Sequence, residues 1–399
     1  MLRATLPTTS ITTLFQNIHT LFNARLDDGR PVPTMLYGDP GISKTQQVYN
    51  TLVPKLGALT GKRVHVLHEN LATMEPTDLR GIPFPVKPSE EDVKKKRRAA
   101  SVWTRPDLQD KIERILDADP DAVIILLLDE YGQAQPDTKK AAVPMFAEGR
   151  LGDYKLPGNV WIWGTSNFQD SGAGVTKSFS HELSRMYHFN VVLKMEDWIS
   201  DFALPNELPP AAVLFAERHA ALFEGRDADY TPAPDSPRCN YRSYTYAMNA
   251  LSAIKESQGD TDPRTVPTDQ FTKLTLSGLI GVEIAEKFLA IAPDLHKLPD
   301  PSLIVRDWEN APLPSGPDAY LQYPLQSLLI QGILSASATS DSQEALVNYA
   351  TRLRPPLAAA VLNHVHNPAE GRSLLTPVAN KFIANHASLF TALSEAKRG

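Results

Sequence analysis

The sequence predicts an α/β fold in which a five-stranded parallel sheet is followed by a region of helices. Between residues 31 and 193, short β-rich runs alternate with longer polar or helical stretches, as in strands joined by crossover helices. The predicted strands are residues 32–37, 64–69, 123–129, 160–167 and 189–193. After residue 204 no strand pattern recurs, and proline-bearing connectors separate helical segments.

Individual elements have their own local signals. Residues 124–128 are apolar at every position rather than at alternate ones, so we expect a central strand covered on both faces. Thr9 and Ser10 can cap a helix whose apolar residues recur at helical spacing from Ile11 to Phe22. In the C-terminal half, helices are predicted at residues 211–223, 241–257, 269–291, 323–336 and 342–353.

The composition is typical of a globular protein with two or three domains, since 399 residues correspond to roughly 100–200 per domain. The 40 Lys and Arg residues nearly balance the 46 Asp and Glu residues, and the net charge of −6 excludes a polybasic coat for nucleic acid, although local basic patches remain possible.

The single cysteine, Cys239, excludes an internal disulfide and fits a reducing compartment. The longest apolar run, residues 122–128, is far shorter than the ~20 residues that span a bilayer, and the N-terminus carries no apolar leader. We therefore expect a soluble, cytoplasmic protein without membrane insertion.

A phosphate-binding loop is predicted directly after the first strand. The loop consists of Gly38, Asp39, Pro40, Gly41, Ile42, Ser43, Lys44 and Thr45. It matches G-x-x-x-x-G-K-[ST] except that Ser43 stands where the last glycine is expected. In such loops the backbone N–H groups surround the phosphates, Lys44 would contact the β and γ phosphates, and the Thr45 hydroxyl would bind Mg²⁺. The alternative is an ordinary strand-to-helix turn, and Ser43 adds a steric cost where glycine is favoured.

Polar side chains end two later strands of the predicted sheet. Asp129 and Glu130 follow the most apolar run of the chain, and Asn167 ends the strand at residues 160–167. Ligands collect at the carboxyl ends of parallel strands, so we expect these residues beside the phosphate loop. Asp129 can then hold Mg²⁺, Glu130 can polarise the attacking water, and Asn167 can contact the γ-phosphate or that water. The alternatives are a polar strand ending and a turn asparagine.

These motifs resemble those of AAA+ ATPases, specifically the MoxR-type branch, over residues 35–203. The segments that carry the resemblance are GDPGISKT (38–45), EPTDLRGIP (75–83), LLDEYGQA (127–134), EGRLGDYKLP (148–157), GTSN (164–167) and ELSRMYHF (182–189). The phosphate loop is specific only to nucleotide binding. The TDLRGIP stretch and the region from residue 148 to residue 189 narrow the resemblance to MoxR-like proteins.

The resemblance implies a role for each motif residue. Lys44 and Thr45 correspond to Walker A, Asp129 and Glu130 to Walker B, and Asn167 to sensor 1. Arg185 matches the arginine finger that completes the site of a neighbouring subunit, although Ser184 and Met186 flank it where the family has Asp or Asn and Phe. Arg242, at the start of a helix, is the better candidate for sensor 2, and Arg238 is the second. For both Arg185 and Arg242 the alternative is a surface salt bridge.

The resemblance also implies an organisation and an activity. It divides the chain into a P-loop AAA+ α/β core at residues 1–204, a helical lid at 205–297 and a helical C-terminal extension at 298–399. Such a protein hydrolyses ATP with Mg²⁺ as a homo-oligomer, a hexameric ring, to remodel or chaperone a partner that carries a von Willebrand factor A domain. A nucleic-acid motor or loader, and a nucleotide-gated scaffold with weak hydrolysis, remain the alternatives.

An insert at residues 71–107 separates the second strand from the helix before the third. By the resemblance it faces the central pore or upper surface of a ring, and Asp78, Leu79, Arg80 and Gly81 would belong to a loop that contacts partner or substrate. The insert also carries the basic block Lys94-Lys95-Lys96-Arg97-Arg98 after Glu90, Glu91 and Asp92. This block is interpreted as part of a solvated hairpin that balances the adjacent acids, or as a contact for nucleic-acid phosphates.

Overall fold

The chain forms two compact units, which comprise Met1–Val192 and Leu193–Gly399. A computed structural model describes residues 6–87, 100–168, 186–223, 236–366 and 374–390. Among these residues, no helix is both long and apolar enough to cross a membrane. The finer division into core, lid and extension at residues 204 and 297 stays a prediction.

The first unit combines strands with short helices, as an α/β fold requires. Its strands are β1 (Thr8–Ser10), β2 (Thr34–Tyr37), β3 (Val64–Asn70), β4 (Pro83–Val86), β5 (Ala100–Trp103), β6 (Val123–Asp129), β7 (Arg150–Leu151), β8 (Tyr154–Lys155), β9 (Val160–Ser166) and β10 (Tyr187–Val192). Its helices are α1 (Ile11–Gln16), α2 (Ile18–Asn23), α3 (Lys44–Gln47), α4 (Val53–Thr60), α5 (Pro76–Arg80), α6 (Asp107–Ala118) and α7 (Pro136–Glu148).

Six of these strands form one parallel sheet in the order β1, β10, β2, β9, β6, β3. From Val123 to Leu128, β6 is buried at every position, which confirms the prediction of a strand covered on both faces. The parallel α/β sheet is therefore confirmed, and the predicted strands are all present. The predicted number of five strands was wrong, because the sheet has a sixth strand, β1, at its edge.

The additional strand, β1, pairs with β10 through its backbone, with Thr8 opposite Asn190 and Ser10 opposite Val192. It has only three residues, all polar, so it is too short and too polar to show apolar alternation, although Thr8 and Thr9 are β-branched. Ser10 also caps α1, because its hydroxyl accepts a hydrogen bond of 3.0 Å from the N–H of Thr13, as predicted.

The predicted helix at residues 11–22 is present but divided at Asn17. There the backbone leaves the helical region, with φ −101° and ψ 20°, and the Asn17 side chain bonds the Thr13 carbonyl. The two halves, α1 and α2, cover one face of β9. Phe15 packs against Trp163 and Phe22 against Trp161, with ring centroids 5.8 Å and 5.2 Å apart.

The insert after β3 contains a helix and an antiparallel hairpin rather than one loop. Leu79 lies in α5 and is fully buried, so the expectation that it belongs to a partner-facing loop was wrong. Strands β4 and β5 pair antiparallel and expose Phe84, Val102 and Trp103, each about half accessible. The basic block at residues 94–98 lies outside the described residues, and its role stays a prediction.

The second unit is helical throughout its described residues, as predicted. Its helices are α8 (Met195–Trp198), α9 (Pro210–Arg218), α10 (Ala220–Phe223), α11 (Tyr241–Ser257), α12 (Gln270–Ile280), α13 (Val282–Leu289), α14 (Ala292–Leu295), α15 (Pro301–Arg306), α16 (Gln322–Leu334), α17 (Ser340–Ala350), α18 (Pro355–Val365) and α19 (Pro377–Asn385). Phe215 of α9 contacts Tyr244 and Phe288 in its core, with ring centroids 5.7 Å and 5.4 Å away. Helix α9 also packs against α16, so the predicted lid and extension share packed surface.

A buried lysine organises the turn between α11 and α12. Lys255 Nζ donates to the carbonyl oxygens of Asp262 and Thr265 at 2.6 Å and 2.7 Å, and to the Thr265 hydroxyl at 2.9 Å. The carboxylate of Asp260 lies 3.5 Å away. Burial lowers the pKa of Lys255, and the charge of Asp260 opposes that shift.

Two glycines end helices in the same left-handed conformation but in different surroundings. Gly61 follows α4 with φ +65°, and a Cβ there would meet nothing within 4 Å. Gly149 follows α7 with φ +63°, and a Cβ there would lie 2.1 Å from the Arg30 guanidinium carbon. Arg30 is itself buried and paired with Asp28 at 2.8 Å, so it has little room to move.

We therefore expect Gly149→Ala to destabilise the protein much more than Gly61→Ala. Both changes force alanine into a left-handed conformation at a cost of about 1 kcal/mol, but only the first collides with a buried side chain, which should bring its total above about 3 kcal/mol. Urea unfolding followed by circular dichroism measures both values. Equal losses in the two variants would contradict the packing argument.

Candidate active site

Four neighbouring parallel strands, β2, β9, β6 and β3, end at one edge of the sheet. The polar or loop residues at or just beyond these ends are Gly38, Asn167, Asp129 and Asn70, in that order across the sheet. The register places Tyr37 opposite Ser166 and Asn70 opposite Asp129, so the strand ends are level. This edge is where ligands of parallel α/β proteins bind.

The loop after β2 passes close to β10 before α3 begins at Lys44. A Cβ on Gly38 would lie 2.7 Å from the backbone oxygen of Val191, so only glycine fits there. Gly41 and Ser43 adopt left-handed conformations, with φ +82° and +64°. Serine thus occupies the conformation that the missing glycine of the motif would adopt more easily, at a cost of about 1–2 kcal/mol.

The Lys44 ammonium group is held inside this loop. Its Nζ donates to the carbonyl oxygens of Gly38 and Asp39, both at 2.9 Å, and to Asn167 Oδ1 at 3.0 Å. Lys44 is 9% exposed. The loop therefore fixes a positive charge at the end of β2 and connects it to the end of β9.

The Asp129 carboxylate lies next to the start of α3, where it accepts a hydrogen bond of 2.7 Å from the Thr45 hydroxyl to Oδ2. The same oxygen lies 3.2 Å from His68 Nε2. The other oxygen, Oδ1, accepts from the Thr165 hydroxyl and from the N–H of Glu130. Four donors from four residues therefore surround one carboxylate.

These donors decide the charge of Asp129. Burial by itself would raise the pKa of this carboxyl, but hydrogen bonds from Thr165, Thr45 and the Glu130 N–H, together with His68, hold the pKa below its usual value. The group is accordingly an anion at neutral pH. Its contribution to stability is present above the pKa of the unfolded chain and is lost as the pH falls through the lower, folded value.

Thr45 and Asp129 together have the donor chemistry of a magnesium site. Mg²⁺ prefers hard oxygen ligands and keeps several waters, so it is commonly held by one or two protein groups plus phosphate oxygens. A hydroxyl and an anionic carboxylate 2.7 Å apart, beside a buried lysine, meet that requirement. Among the described residues no group of three or more His, Cys, Asp or Glu side chains could hold a metal ion.

The Glu130 side chain points toward the neighbouring strand β3. Its backbone is left-handed, with φ +54°, so the chain turns sharply at the end of β6. Its Oε2 accepts a hydrogen bond of 3.0 Å from Asn70 Nδ2. The turn that follows is held by the buried Lys139, whose Nζ donates to the Gly132 carbonyl at 2.8 Å. The glutamate is thus fixed both at its backbone and at its carboxylate.

The structure brings most of the sequence-predicted residues to one place. Those at this edge of the sheet are Lys44, Thr45, Asp129, Glu130 and Asn167. Arg185 lies outside the described residues. Arg242 is exposed in the first turn of α11 in the second unit, where its N–H donates to the capping side chain of Asn240, and Arg238 lies just before that cap. The roles of these arginines stay predictions.

Sequence reasoning missed three residues that contact the two carboxylates, namely His68, Asn70 and Thr165. His68 and Asn70 lie two positions apart on β3 and so share one face of that strand. Polar residues near the end of a predicted strand were the available signal, since the predicted strand at residues 64–69 ends in such residues. That signal does not indicate which residues of the neighbouring strands these polar side chains contact.

Comparisons with known proteins leave the family open. No profile of a known protein family matches the chain, and no curated protein matches it. The Aeropyrum pernix ORC2 protein (ADPNP-ADP complexes) is 13% identical, with 96% of this chain and 92% of that chain covered and a TM-score of 0.39. C. elegans PCH-2 is 15% identical, with 73% and 71% covered and a TM-score of 0.33. The Aeropyrum pernix ORC1 protein in complex with DNA is 14% identical, with 90% and 82% covered and a TM-score of 0.29. Similarity at this level carries no argument about function, which depends here on the site itself.

The strained Ser43 gives a first test of the loop. We expect Ser43→Gly to stabilise the protein by about 0.5–1 kcal/mol, because glycine removes the left-handed strain but adds freedom to the unfolded chain. Ser43→Ala keeps the Cβ and should gain nothing, so it serves as the control. Urea unfolding of the two variants and the wild type measures the difference. A gain in both variants would show that the serine hydroxyl, not the backbone strain, is unfavourable.

Proposed function

We propose that this chain is a magnesium-dependent ATPase of the AAA+ class and of its MoxR-type branch. The observation that carries the proposal is the joint position of a loop-held lysine, a hydroxyl–carboxylate pair and a second carboxylate at the ends of adjacent parallel strands. Each of these groups has a role in phosphoryl transfer, and the sequence motifs arrange them in the order that the resemblance implies.

In this proposal the loop binds the triphosphate. Lys44 would exchange its bonds to Gly38 and Asp39 for the β and γ phosphate oxygens, because an ammonium group prefers charged oxygen acceptors to neutral carbonyls. Backbone N–H groups of the loop and of the start of α3 would complete the cradle. Thr45 and Asp129 would hold Mg²⁺, which when bound neutralises charge on the phosphates.

Glu130 would orient and polarise the water that attacks the γ-phosphate. Its carboxylate is anchored by Asn70, which fixes its direction. Asn167 already bonds Lys44 and would contact the γ-phosphate or the water from the adjacent strand. Catalysis in this arrangement is mainly positioning and charge stabilisation, as expected for phosphoryl transfer.

The energy of hydrolysis would serve to remodel or chaperone a partner protein in the cytoplasm. The resemblance supports a hexameric ring in which Arg185 acts on the neighbouring subunit, with Arg242 as sensor 2, and a partner that contains a von Willebrand factor A domain. The apolar side chains exposed on the β4–β5 hairpin, Phe84, Val102 and Trp103, support contact with a partner from this part of the molecule.

The two carboxylates should separate binding from hydrolysis. We expect Glu130→Gln to bind ATP with wild-type affinity and to lose at least 100-fold in turnover, because the change removes the base but no phosphate or metal contact. Lys44→Ala should lose binding itself, while Lys62→Ala, which removes an exposed lysine of the same unit, should do neither. Fluorescent-nucleotide titration and phosphate release measure the two steps. Tight binding without turnover in the wild type would instead support the nucleotide-gated scaffold.

Action of Arg185 on a neighbouring subunit can be tested by mixing variants. Arg185→Ala should bind ATP but hydrolyse it poorly, because the transition-state charge loses a permanent cation. When it is mixed with Glu130→Gln, some interfaces combine an intact glutamate with an intact arginine, so activity should partly return. Steady-state ATPase rates across mixing ratios measure this, with co-assembly checked by light scattering. If the co-assembled mixture stays as inactive as either variant, the arginine does not act in trans.

A further inference from the structure

His68 contacts the candidate site but has no part in the motifs described above. It lies on β3, at the edge of the parallel sheet, two residues before Asn70. Its Nε2 is 3.2 Å from Asp129 Oδ2, the oxygen that also accepts from Thr45 at 2.7 Å. Strand β3 thus supplies one side chain to each carboxylate, His68 to Asp129 and Asn70 to Glu130.

The chemistry of this contact fixes its direction. An ionised carboxylate oxygen only accepts hydrogen bonds, so the Nε2 of His68 must carry the proton and donate it. The imidazole is about one-third exposed, and the ring of Tyr49 packs against it with centroids 6.0 Å apart. Tyr49 lies one helical turn beyond Thr45, in the helical segment Val48–Leu52 that continues α3. The imidazole is therefore held between this segment and Asp129 at the end of β6.

The bond also completes the set of donors around Asp129. Thr165 and the Glu130 N–H hold Oδ1, whereas Oδ2 is held only by Thr45 and His68 among the hydrogen bonds of the described residues. If Thr45 binds a metal ion, its hydroxyl is shared between the metal and the carboxylate. His68 would then donate to Oδ2 without also binding the metal ion, unlike Thr45.

We propose that His68 is a positioning residue that holds the Asp129 carboxylate in the orientation required for Mg²⁺. The inference rests on the proposed function, since it assumes that Thr45 and Asp129 bind the metal ion of a nucleotide complex. Residues that orient metal ligands typically change metal affinity 10- to 100-fold when they are removed. Because His68 is partly exposed and water can replace its bond, we expect an effect at the lower end of this range.

The test is the Mg²⁺ dependence of nucleotide binding, measured with a fluorescent ATP analogue in EDTA and across a Mg²⁺ titration. His68→Ala should raise the Mg²⁺ midpoint about tenfold and leave affinity in EDTA within twofold of the wild type. His68→Gln should recover most of the loss, because its amide nitrogen reaches the position of Nε2. His68→Asn should not, because its amide nitrogen reaches only the position of Nδ1. His65→Ala, on the opposite face of the same strand, is the matched control.

Several results would overturn the inference. They are an unchanged or lower Mg²⁺ midpoint in His68→Ala, an equal loss of affinity in EDTA and in Mg²⁺, and equal behaviour of the Gln and Asn variants. Any of them, with wild-type protein that binds the analogue in a Mg²⁺-dependent manner, leaves the proposed function intact. A wild-type protein that fails to bind the analogue under both conditions would overturn the proposed function and this inference together.

Discussion

The hydrogen bond between the Thr45 hydroxyl and the Asp129 carboxylate joins the start of α3 to the end of β6, which are far apart in the sequence. The position of Thr45 is set by the loop after β2 and by α3, whereas the position of Asp129 is set by the buried strand β6. The bond forms only if both strands end at the same level, which the parallel register ensures. The other contacts of the site extend outward from this pair, through Lys44 to Asn167 on one side and through Glu130 to Asn70 on the other.

The order of the strands determines which side chains can support this pair. Since β9 lies between β2 and β6, Thr165 of β9 can reach Asp129. Since β3 lies on the other side of β6, His68 and Asn70 can contact the two carboxylates. Several hydrogen-bond donors around this partly buried carboxylate lower its pKa although burial alone would raise it, so Asp129 stays ionised.

Local sequence signals predicted the parts that are determined locally. The unbroken apolar run of β6, the tight loop between β2 and α3 and the Ser10 cap all follow from short stretches of chain, and the structure contains each of them. The edge strand β1 escaped prediction because its pairing with β10 uses backbone groups that any residue carries. His68 escaped because its partner is set by which strand lies beside β3, which no nearby residue encodes. Leu79 was misassigned because a family pattern indicates a segment but not which of its side chains are buried.

The buried Lys255 gives the second unit a property that is unrelated to nucleotides. Its ammonium group sits among two carbonyls, a hydroxyl and a carboxylate, the kind of oxygen-rich surrounding that turns in other proteins offer to calcium. Because this cation is covalently attached, it cannot be removed by chelators or exchanged for another ion. The turn between α11 and α12 therefore keeps its cation whatever metal ions surround it. It would lose that charge through chemical modification of the lysine or through deprotonation, which burial favours by lowering the pKa of Lys255.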